Sequence, residues 1–162
     1  MFVLHSEYLK FLKNPKYYIE CPLVFEKMAY DASLLGYNLI AVSTYRNYEY
    51  QKKLFNNYVL EKGYLYASMC SAKPGFSEHQ TGLAFDIGSR NNNVFVQSKE
   101  YDWMQNNAYK YGFIYRFDKR YEDITGFRSE AWHYRYVGEK IAKVIHDDSM
   151  AYEEYFAVYL DK

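Results

Sequence analysis

The chain has 162 residues, of which 49% are apolar and 25% are charged, and its formal net charge is zero. This length and composition predict one globular domain over residues 1–162. Lys and Arg are scattered along the chain, which argues against a nucleic-acid or anionic-membrane partner. No apolar run approaches the roughly 20 residues of a membrane helix.

The N-terminus and the cysteines bear on the cellular compartment. Residues 1–7 have neither the basic lead nor the apolar stretch of a secretory signal. Cys21 and Cys70 form no C-x-x-C pair, so we predict neither a disulfide framework nor a thiolate zinc site. As written, the sequence predicts a cytoplasmic protein, or an extracytoplasmic domain if an export segment was removed. We expect a monomer or a weak dimer.

Aromatic residues are unusually frequent, with 21 Tyr and 11 Phe. Tyrosine can fill a core while its hydroxyl stays at the rim, and the even distribution along the chain favours this interpretation. The alternative is an aromatic surface that binds carbohydrate or nucleic acid, but the sequence has no basic groove to accompany it.

In the first half of the chain, periodicity predicts two helices and a strand. The first helix begins at Pro22, a favoured first helical position, and runs up to Gly36. Residues 39–42 predict a buried strand. A second helix follows Arg46 and stops at Gly63. Its inward face holds Gln51, Leu54, Phe55, Tyr58 and Val59.

The second half mixes helices and strands without a regular alternation. Residues 64–76, with Pro74 and Gly75, predict a long loop of the kind that is often functional. Further on, the pattern predicts strands at 83–87, 113–115 and 134–137, a helix at 99–111, and two helical pieces after residue 139. The absence of strict βαβ alternation favours an α+β domain.

Two histidines and two acids form a candidate metal site. His79 and Asp86 lie seven positions apart around Gly82, and Glu130 precedes His133 by three. A catalytic zinc site uses three such ligands, leaves one position open and keeps a carboxylate nearby to move protons.

The predicted elements allow these side chains to converge. His79 would lie in the loop before a strand and Asp86 in that strand, with Gly82 making the tight return. Glu130 and His133 would face opposite ways on a strand, so we expect Glu130 on a turn and His133 at a strand start.

Taken singly, each of these residues has a structural alternative. A lone histidine is usually a hydrogen-bonded structural residue, and an aspartate can cap a turn. His5 and His146 lack the surrounding carboxylate and glycine, so neither is a candidate ligand. Histidine and carboxylate ligands also accept divalent ions other than zinc.

Three blocks of sequence resemble the signature of the VanY-type zinc D-alanyl-D-alanine carboxypeptidases. They occur in the family's order and read Tyr45-Arg46-Asn47-Tyr48-Glu49-Tyr50-Gln51, Ser77-Glu78-His79-Gln80-Thr81-Gly82-Leu83-Ala84-Phe85-Asp86 and Glu130-Ala131-Trp132-His133-Tyr134-Arg135-Tyr136-Val137-Gly138. The resemblance implies a small, mostly antiparallel sheet flanked by helices, as in Hedgehog-type and D,D-peptidase domains. Within the family the chain looks most like the short D,D-dipeptidase/D,D-carboxypeptidases of vancomycin resistance.

The resemblance also implies roles for individual residues. Zn²⁺ would be bound by His79, Asp86 and His133, with Glu130 as the catalytic base. Arg46 would stabilise the oxyanion or hold a substrate carboxylate, for which a guanidinium is well suited. The alternative for this arginine is an ordinary surface position at a helix start.

Other family positions have more than one interpretation. Ser77 could meet the substrate carboxylate or cap a turn. Gln51 points inward, so either substrate or backbone must satisfy its amide. We expect Trp132 and Arg135 to hold His133 in position without binding the metal themselves. Arg116-Phe117-Asp118 departs from the family, which usually has a proline after the aromatic residue, and this leaves the loop up to Glu130 undefined.

The expected activity is zinc-dependent removal of a C-terminal D-amino acid, D-Ala, from a peptidoglycan precursor or stem peptide. One alternative is an L,D-carboxypeptidase that acts on tetrapeptide stems. A phage-type endopeptidase has a different histidine motif. The alternative from another class is a catalytically silent zinc-containing binding domain, against which Glu130 and Arg46 argue, because a purely structural zinc site needs neither.

Overall fold

The computed structural model describes residues 15–160, with side chains from residue 21 onwards. The helices are α1 Pro15–Leu34, α2 Tyr48–Lys62, α3 Tyr64–Cys70, α4 Lys99–Asn107, α5 Glu122–Thr125, α6 Glu139–Asp147 and α7 Tyr152–Tyr159. The strands are β1 Leu39–Ser43, β2 Ala84–Ser89, β3 Phe113–Tyr115 and β4 His133–Tyr136. Short 3₁₀ turns cover Glu78–Thr81, Phe95–Gln97, Ala108–Tyr111 and Lys119–Tyr121.

The strands form one antiparallel sheet in the order β1-β2-β4-β3. Every residue of β2 and β4, the two central strands, is buried. Antiparallel pairing of strands that are distant in sequence, with helices around them, confirms the predicted α+β class. The register places Asp86 directly opposite His133.

The main hydrophobic core covers one face of the sheet. Phe85 and Ile87 of β2 point into it and meet Met28 of α1 and Met104 of α4. The rings of Phe85 and Phe113 pack edge to face at 5.9 Å. Full burial of such side chains contributes about 1.5–3 kcal/mol each. Because side chains alternate along a strand, Asp86 points to the opposite face.

A second cluster of buried apolar residues attaches the C-terminal helices to the outer edge of the sheet. Ile114 of β3 and Val137 pack against Ala142 and Ile145 of α6, with Tyr155 of α7 alongside. This cluster places the first turn of α7 beside the segment that follows β3.

Helix α2 follows the prediction at both ends. The Asn47 side chain caps its start by accepting from the Tyr50 amide at 2.8 Å. Gly63 ends it with a φ of 83°, a conformation that glycine adopts without strain. Gln51 and Phe55 are buried, as the predicted inward face requires.

Two predicted boundaries were wrong. Helix α1 begins at Pro15 instead of Pro22, which lies inside it. Cys21 and Met28 are both fully buried, so packing holds the helix on either side of the proline despite the lost backbone bond. Residues 64–76 are not all loop, because α3 occupies Tyr64–Cys70. This segment has no helix breaker before Pro74, and its buried Ala67 gives the helix a packed side.

Strand β1 is less buried than predicted. It lies at the edge of the sheet, and its Val42 is 66% exposed. A shift of register between Ala41 and Ser43 marks a bulge, an irregularity that is common in edge strands. As a result Ser43 lies opposite Asp86, close to the candidate site.

No helix within residues 15–160 is long and apolar enough to cross a membrane. Residues 1–7 and His5, on which the localisation and histidine arguments drew, lie outside the described residues.

Gly112 provides a test of the packing between β3 and the start of α6. A Cβ at this position would lie 2.8 Å from the Tyr136 ring and 2.9 Å from the Glu139 backbone nitrogen. We therefore expect Gly112→Ala to lower the free energy of unfolding by about 2–5 kcal/mol, from backbone strain and overpacking together. The measurement is urea denaturation.

Gly126→Ala is the matched control. Gly126 has nearly the same left-handed backbone (φ 73°, ψ 6°, against 79° and 12° at Gly112), but nothing lies within 4 Å of the added Cβ. Gly126→Ala should lower the free energy of unfolding only through backbone strain, by about 1 kcal/mol. Equal losses of unfolding free energy in the two variants would show that the close contacts at Gly112 do not affect stability.

Candidate metal centre

Three elements bring His79, Asp86 and His133 together. Asp86 and His133 form a directly opposed pair on β2 and β4, so their side chains emerge on the same face of the sheet. His79 lies in the 3₁₀ turn before β2, and Gly82, in the left-handed conformation with φ 71°, returns the chain to the strand. All three side chains are buried.

The distances within this triad suit a zinc ion. Oδ1 of Asp86 lies 3.2 Å from Nε2 of His79 and 3.3 Å from Nδ1 of His133. All three candidate ligand atoms lie within 4.8 Å of one another. Donors placed about 2.0–2.2 Å from one tetrahedral ion are separated by about 3.3–3.5 Å. Oδ1 of Asp86 thus already has close to this spacing from each histidine nitrogen.

In each histidine ring, the hydrogen bond made by one nitrogen determines whether the other nitrogen can bind a metal. Nδ1 of His79 faces the Thr44 carbonyl oxygen at 2.6 Å, which can only accept, so this nitrogen donates. Nε2 of His133 likewise donates to Oε2 of Glu78 at 3.0 Å. A neutral imidazole that donates from one nitrogen carries its lone pair on the other. In a neutral ring the lone pair therefore lies on the nitrogen that faces Asp86, and in a protonated ring that nitrogen donates to Asp86.

Two nitrogen lone pairs would repel the carboxylate oxygen of Asp86, so a proton or a metal cation must lie between them. The pKa of Asp86 lies below its usual range, because hydrogen bonds with His133 and His79 outweigh the opposing effect of burial. Burial lowers the pKa of His133, but its bonds to Asp86 and Glu78 dominate and raise that pKa to about 9. The site attracts a cation, as a metal centre must.

Glu130 lies beside the triad without joining it. Its Oε2 is 3.8 Å from Nδ1 of His133. Its backbone amide donates to the Phe117 carbonyl, and its own carbonyl accepts from the His133 amide, both at 3.0 Å. His133 begins β4, so both expected positions match the structure.

The pKa of Glu130 is shifted toward neutral pH. Burial raises the pKa of its carboxyl group to about 7. The negative charges of Asp86 and Glu78 add to this rise, while the charges of His133 and Arg46 oppose it. A carboxyl group with such a pKa can both take up and release a proton near pH 7.

Arg46 approaches the triad from the start of α2. Its Nη2 lies 2.5 Å from Oδ2 of Asp86, and its Nε donates to the Ser43 hydroxyl at 3.0 Å. Its backbone amide donates to the His79 carbonyl at 3.2 Å. The arginine therefore occupies the outer oxygen of Asp86 and leaves Oδ1 for the metal.

The other predicted site residues lie at different distances from this centre. Ser77 is buried, and its side chain makes no capping bond to the turn that follows it. Gln51 donates to Ser71 Oγ at 3.2 Å and to the Ala72 carbonyl at 2.8 Å, while its buried Oε1 has no hydrogen-bond partner among the described residues.

Trp132 and Arg135 occupy contrasting positions beside His133. The Trp132 side chain is 45% exposed, although its carbonyl accepts from the Ile87 amide and thus continues the β2–β4 pairing. Arg135 is buried and donates to the Thr81 hydroxyl at 2.9 Å. Arg135 thus steadies the turn that carries His79.

Two residues that contact His133 were not identified from the sequence. Glu78 occupies a position of the motif to which the sequence assigned no role, yet it is the hydrogen-bond partner of the His133 ring. Phe117 packs against the same ring at 4.8 Å between centroids. Both contacts join residues distant in sequence, so no local pattern predicts them.

Comparisons with known proteins agree with this centre. The sequence model of the VanY family, described as D-alanyl-D-alanine carboxypeptidase, matches residues 18–139. "Putative carboxypeptidase YodJ" of Bacillus subtilis (strain 168) is 53% identical over 75% of this chain and 46% of its own length. The chain spans about half the length of the first curated relatives it matches, between 41% and 46%.

Two solved structures resemble the fold. The LdcB LD-carboxypeptidase is 49% identical, with a TM-score of 0.80 over 85% of this chain and 67% of its own. A mutant of the vancomycin resistance D,D-pentapeptidase VanY in complex with Zn(II) is 32% identical, with a TM-score of 0.78 over 85% of this chain and 82% of its own.

Zinc should stabilise the fold through this triad. At a free zinc concentration 100 times the dissociation constant, linkage predicts about 2.7 kcal/mol of added stability, and a chelator should remove it. His133→Ala should abolish this gain because it deletes one of three ligands. The measurement is thermal unfolding with and without zinc, together with metal analysis of the purified protein.

His146→Ala is the control, because His146 is an exposed histidine outside the triad. It should keep the full zinc response. A His133→Ala protein that retains one zinc per chain would contradict the ligand assignment.

Proposed function

The chain belongs to the VanY family of D-alanyl-D-alanine carboxypeptidases, and from this premise we propose that it is a zinc-dependent carboxypeptidase that removes a C-terminal D-amino acid, D-Ala, from peptidoglycan-derived peptides. The family membership confirms the resemblance drawn from the three sequence blocks. The observation that carries the proposal is the buried triad His79, Asp86 and His133 with Glu130 at 3.8 Å.

The proposed chemistry divides between the metal and Glu130. When bound, zinc supplies a Lewis acid and lowers the pKa of water to about 7. Glu130 takes a proton from the attacking water and passes it to the amine of the departing D-amino acid. Its contact with His133 keeps it beside the reacting groups.

Binding of the peptide terminus falls to Arg46, Ser77 and Gln51. Arg46 can donate to the carbonyl oxygen that gains negative charge or to the terminal carboxylate. Support comes from its position between Asp86 and a polar groove of about 420 Å³ formed by β1 and the start of α2. The buried Oε1 of Gln51 is an acceptor for a substrate N–H, and the Ser77 hydroxyl completes the set.

An L,D-carboxypeptidase is the second candidate. It is favoured by the 49% identity to the LdcB LD-carboxypeptidase. Both candidates release D-Ala through the same centre and differ in the residue before the scissile bond. A silent zinc-containing domain is a weaker candidate, because Glu130 and Arg46 have no use in a purely structural site.

A synthetic stem peptide tests the activity and the stereochemical preference together. We expect a pentapeptide ending in L-Lys-D-Ala-D-Ala to lose one D-Ala and the loss to stop when a chelator removes zinc. The measurement is mass spectrometry of the products over time, with a tetrapeptide ending in L-Lys-D-Ala alongside. Cleavage of the tetrapeptide alone would establish the L,D preference, and no cleavage of either by zinc-loaded protein would contradict the proposal.

Replacement of Glu130 tests the proton-transfer role. Glu130→Ala should reduce kcat by about 10²–10⁴, the usual contribution of a general base, while the protein keeps its zinc. The measurements are D-Ala release and zinc content. Glu139→Ala, which removes an exposed carboxylate at the start of α6, should leave both unchanged. Unaltered turnover in Glu130→Ala would refute the assignment.

A further inference from the structure

Arg116 is a buried arginine that joins two acids from distant parts of the chain. Its Nε donates to Oε1 of Glu78 at 2.8 Å. Its Nη1 and Nη2 hold the Glu153 carboxylate in a fork, at 2.9 and 2.5 Å. The side chains of all three are at most 18% exposed. A charge pair this well enclosed differs from the solvated pairs on the surface, which contribute little.

The guanidinium also packs near two aromatic rings. It lies 4.8 Å from the centroid of the Phe117 ring and 5.5 Å from that of Tyr152. Phe117 itself packs against the His133 imidazole. Arg116 is thus held rigidly beside the metal centre.

Glu78 divides its two oxygens between Arg116 and the metal ligand. Oε1 accepts from Arg116 and Oε2 accepts from Nε2 of His133. With one oxygen engaged by a guanidinium, the carboxylate can turn only a little, so Oε2 holds the imidazole in one orientation. It also keeps the proton on Nε2 and the lone pair on Nδ1, the nitrogen that faces Asp86.

Glu153 lies outside the part of the chain that the family model matches. That match ends at residue 139, whereas Glu153 is in the first turn of α7. Helix α7 is kept in place by the second apolar cluster, through Tyr152 and Tyr155. The next residue, Glu154, makes a different contact: its carboxylate accepts a hydrogen bond from the Ala151 amide at the helix start.

We propose that Glu78 is a positioning residue for His133, and that Glu153 of α7 supports it through Arg116. This inference rests on the proposed function only in taking His133 as a metal ligand. The C-terminal helix then contributes to metal affinity although none of its residues approaches the ion.

Zinc affinity of matched variants tests the proposal. Glu78→Ala should weaken zinc binding by about 10–100-fold, the usual effect of losing an outer partner of a ligand histidine. Glu78→Gln keeps an acceptor oxygen of the same size and should recover part of this loss. Glu153→Gln should weaken binding by less than Glu78→Ala. The measurement is competition with a chromogenic chelator.

Two controls separate positioning from general stability. Glu154→Gln removes a charge from the same turn of α7 without touching Arg116, and should leave zinc affinity unchanged. Glu100→Gln alters a buried acid that accepts from the Asn38 amide and the Asn91 side chain. It should lower the unfolding temperature but not the zinc affinity.

A spectroscopic measurement reports directly which nitrogen of the His133 ring carries the proton. Nitrogen-15 NMR of the zinc-loaded protein should show the His133 proton on Nε2 in the wild type, and a shifted or exchange-broadened signal in Glu78→Ala. If both Glu78 variants bind zinc within twofold of the wild type and keep that signal while His133→Ala loses zinc, the inference is wrong and the proposed function stands. A wild-type chain that binds no zinc would overturn both.

Discussion

The opposition of Asp86 and His133 across β2 and β4 is the constraint on which the rest of the site depends. The pairing register places the two side chains on one face, while their neighbours Phe85 and Tyr134 enter the core on the other. A slip of one residue would exchange these faces, burying the ligands among apolar groups and exposing the aromatics. The energy of the core therefore fixes the geometry of the candidate metal site.

The same geometry creates a local conflict that the fold by itself does not resolve. If both rings are neutral, two lone pairs face one carboxylate oxygen, because the outer partners Thr44 and Glu78 keep each donor on the other nitrogen. A bound cation relieves this repulsion, and so does the second proton that the raised pKa of His133 favours. Local conflicts of this kind are expected where sequence serves function rather than stability.

The elements with strong periodicity could be predicted because they depend on local pattern, and the three sequence blocks led to His79, Asp86 and His133, which the structure brings together. The extent of α1 and α3 could not be predicted, because packing of Cys21 overrides the break suggested by Pro22, and packing of Ala67 stabilises a short helix that ends before Pro74. Glu78 escaped notice for a related reason. Its partners His133 and Arg116 are 55 and 38 residues away, and no local pattern signals such a pairing.

Arg116 and Phe117, which belong to the segment that departs from the family pattern, connect these features. The Arg116 amide donates to the His133 carbonyl, and the Phe117 carbonyl accepts from the Glu130 amide. The ligand and the proposed base are therefore both hydrogen-bonded to two consecutive residues that follow β3. With Glu78 held by the Arg116 side chain, one short segment is bonded to the candidate ligand His133, to the outer hydrogen-bond partner of that ligand and to the proposed base.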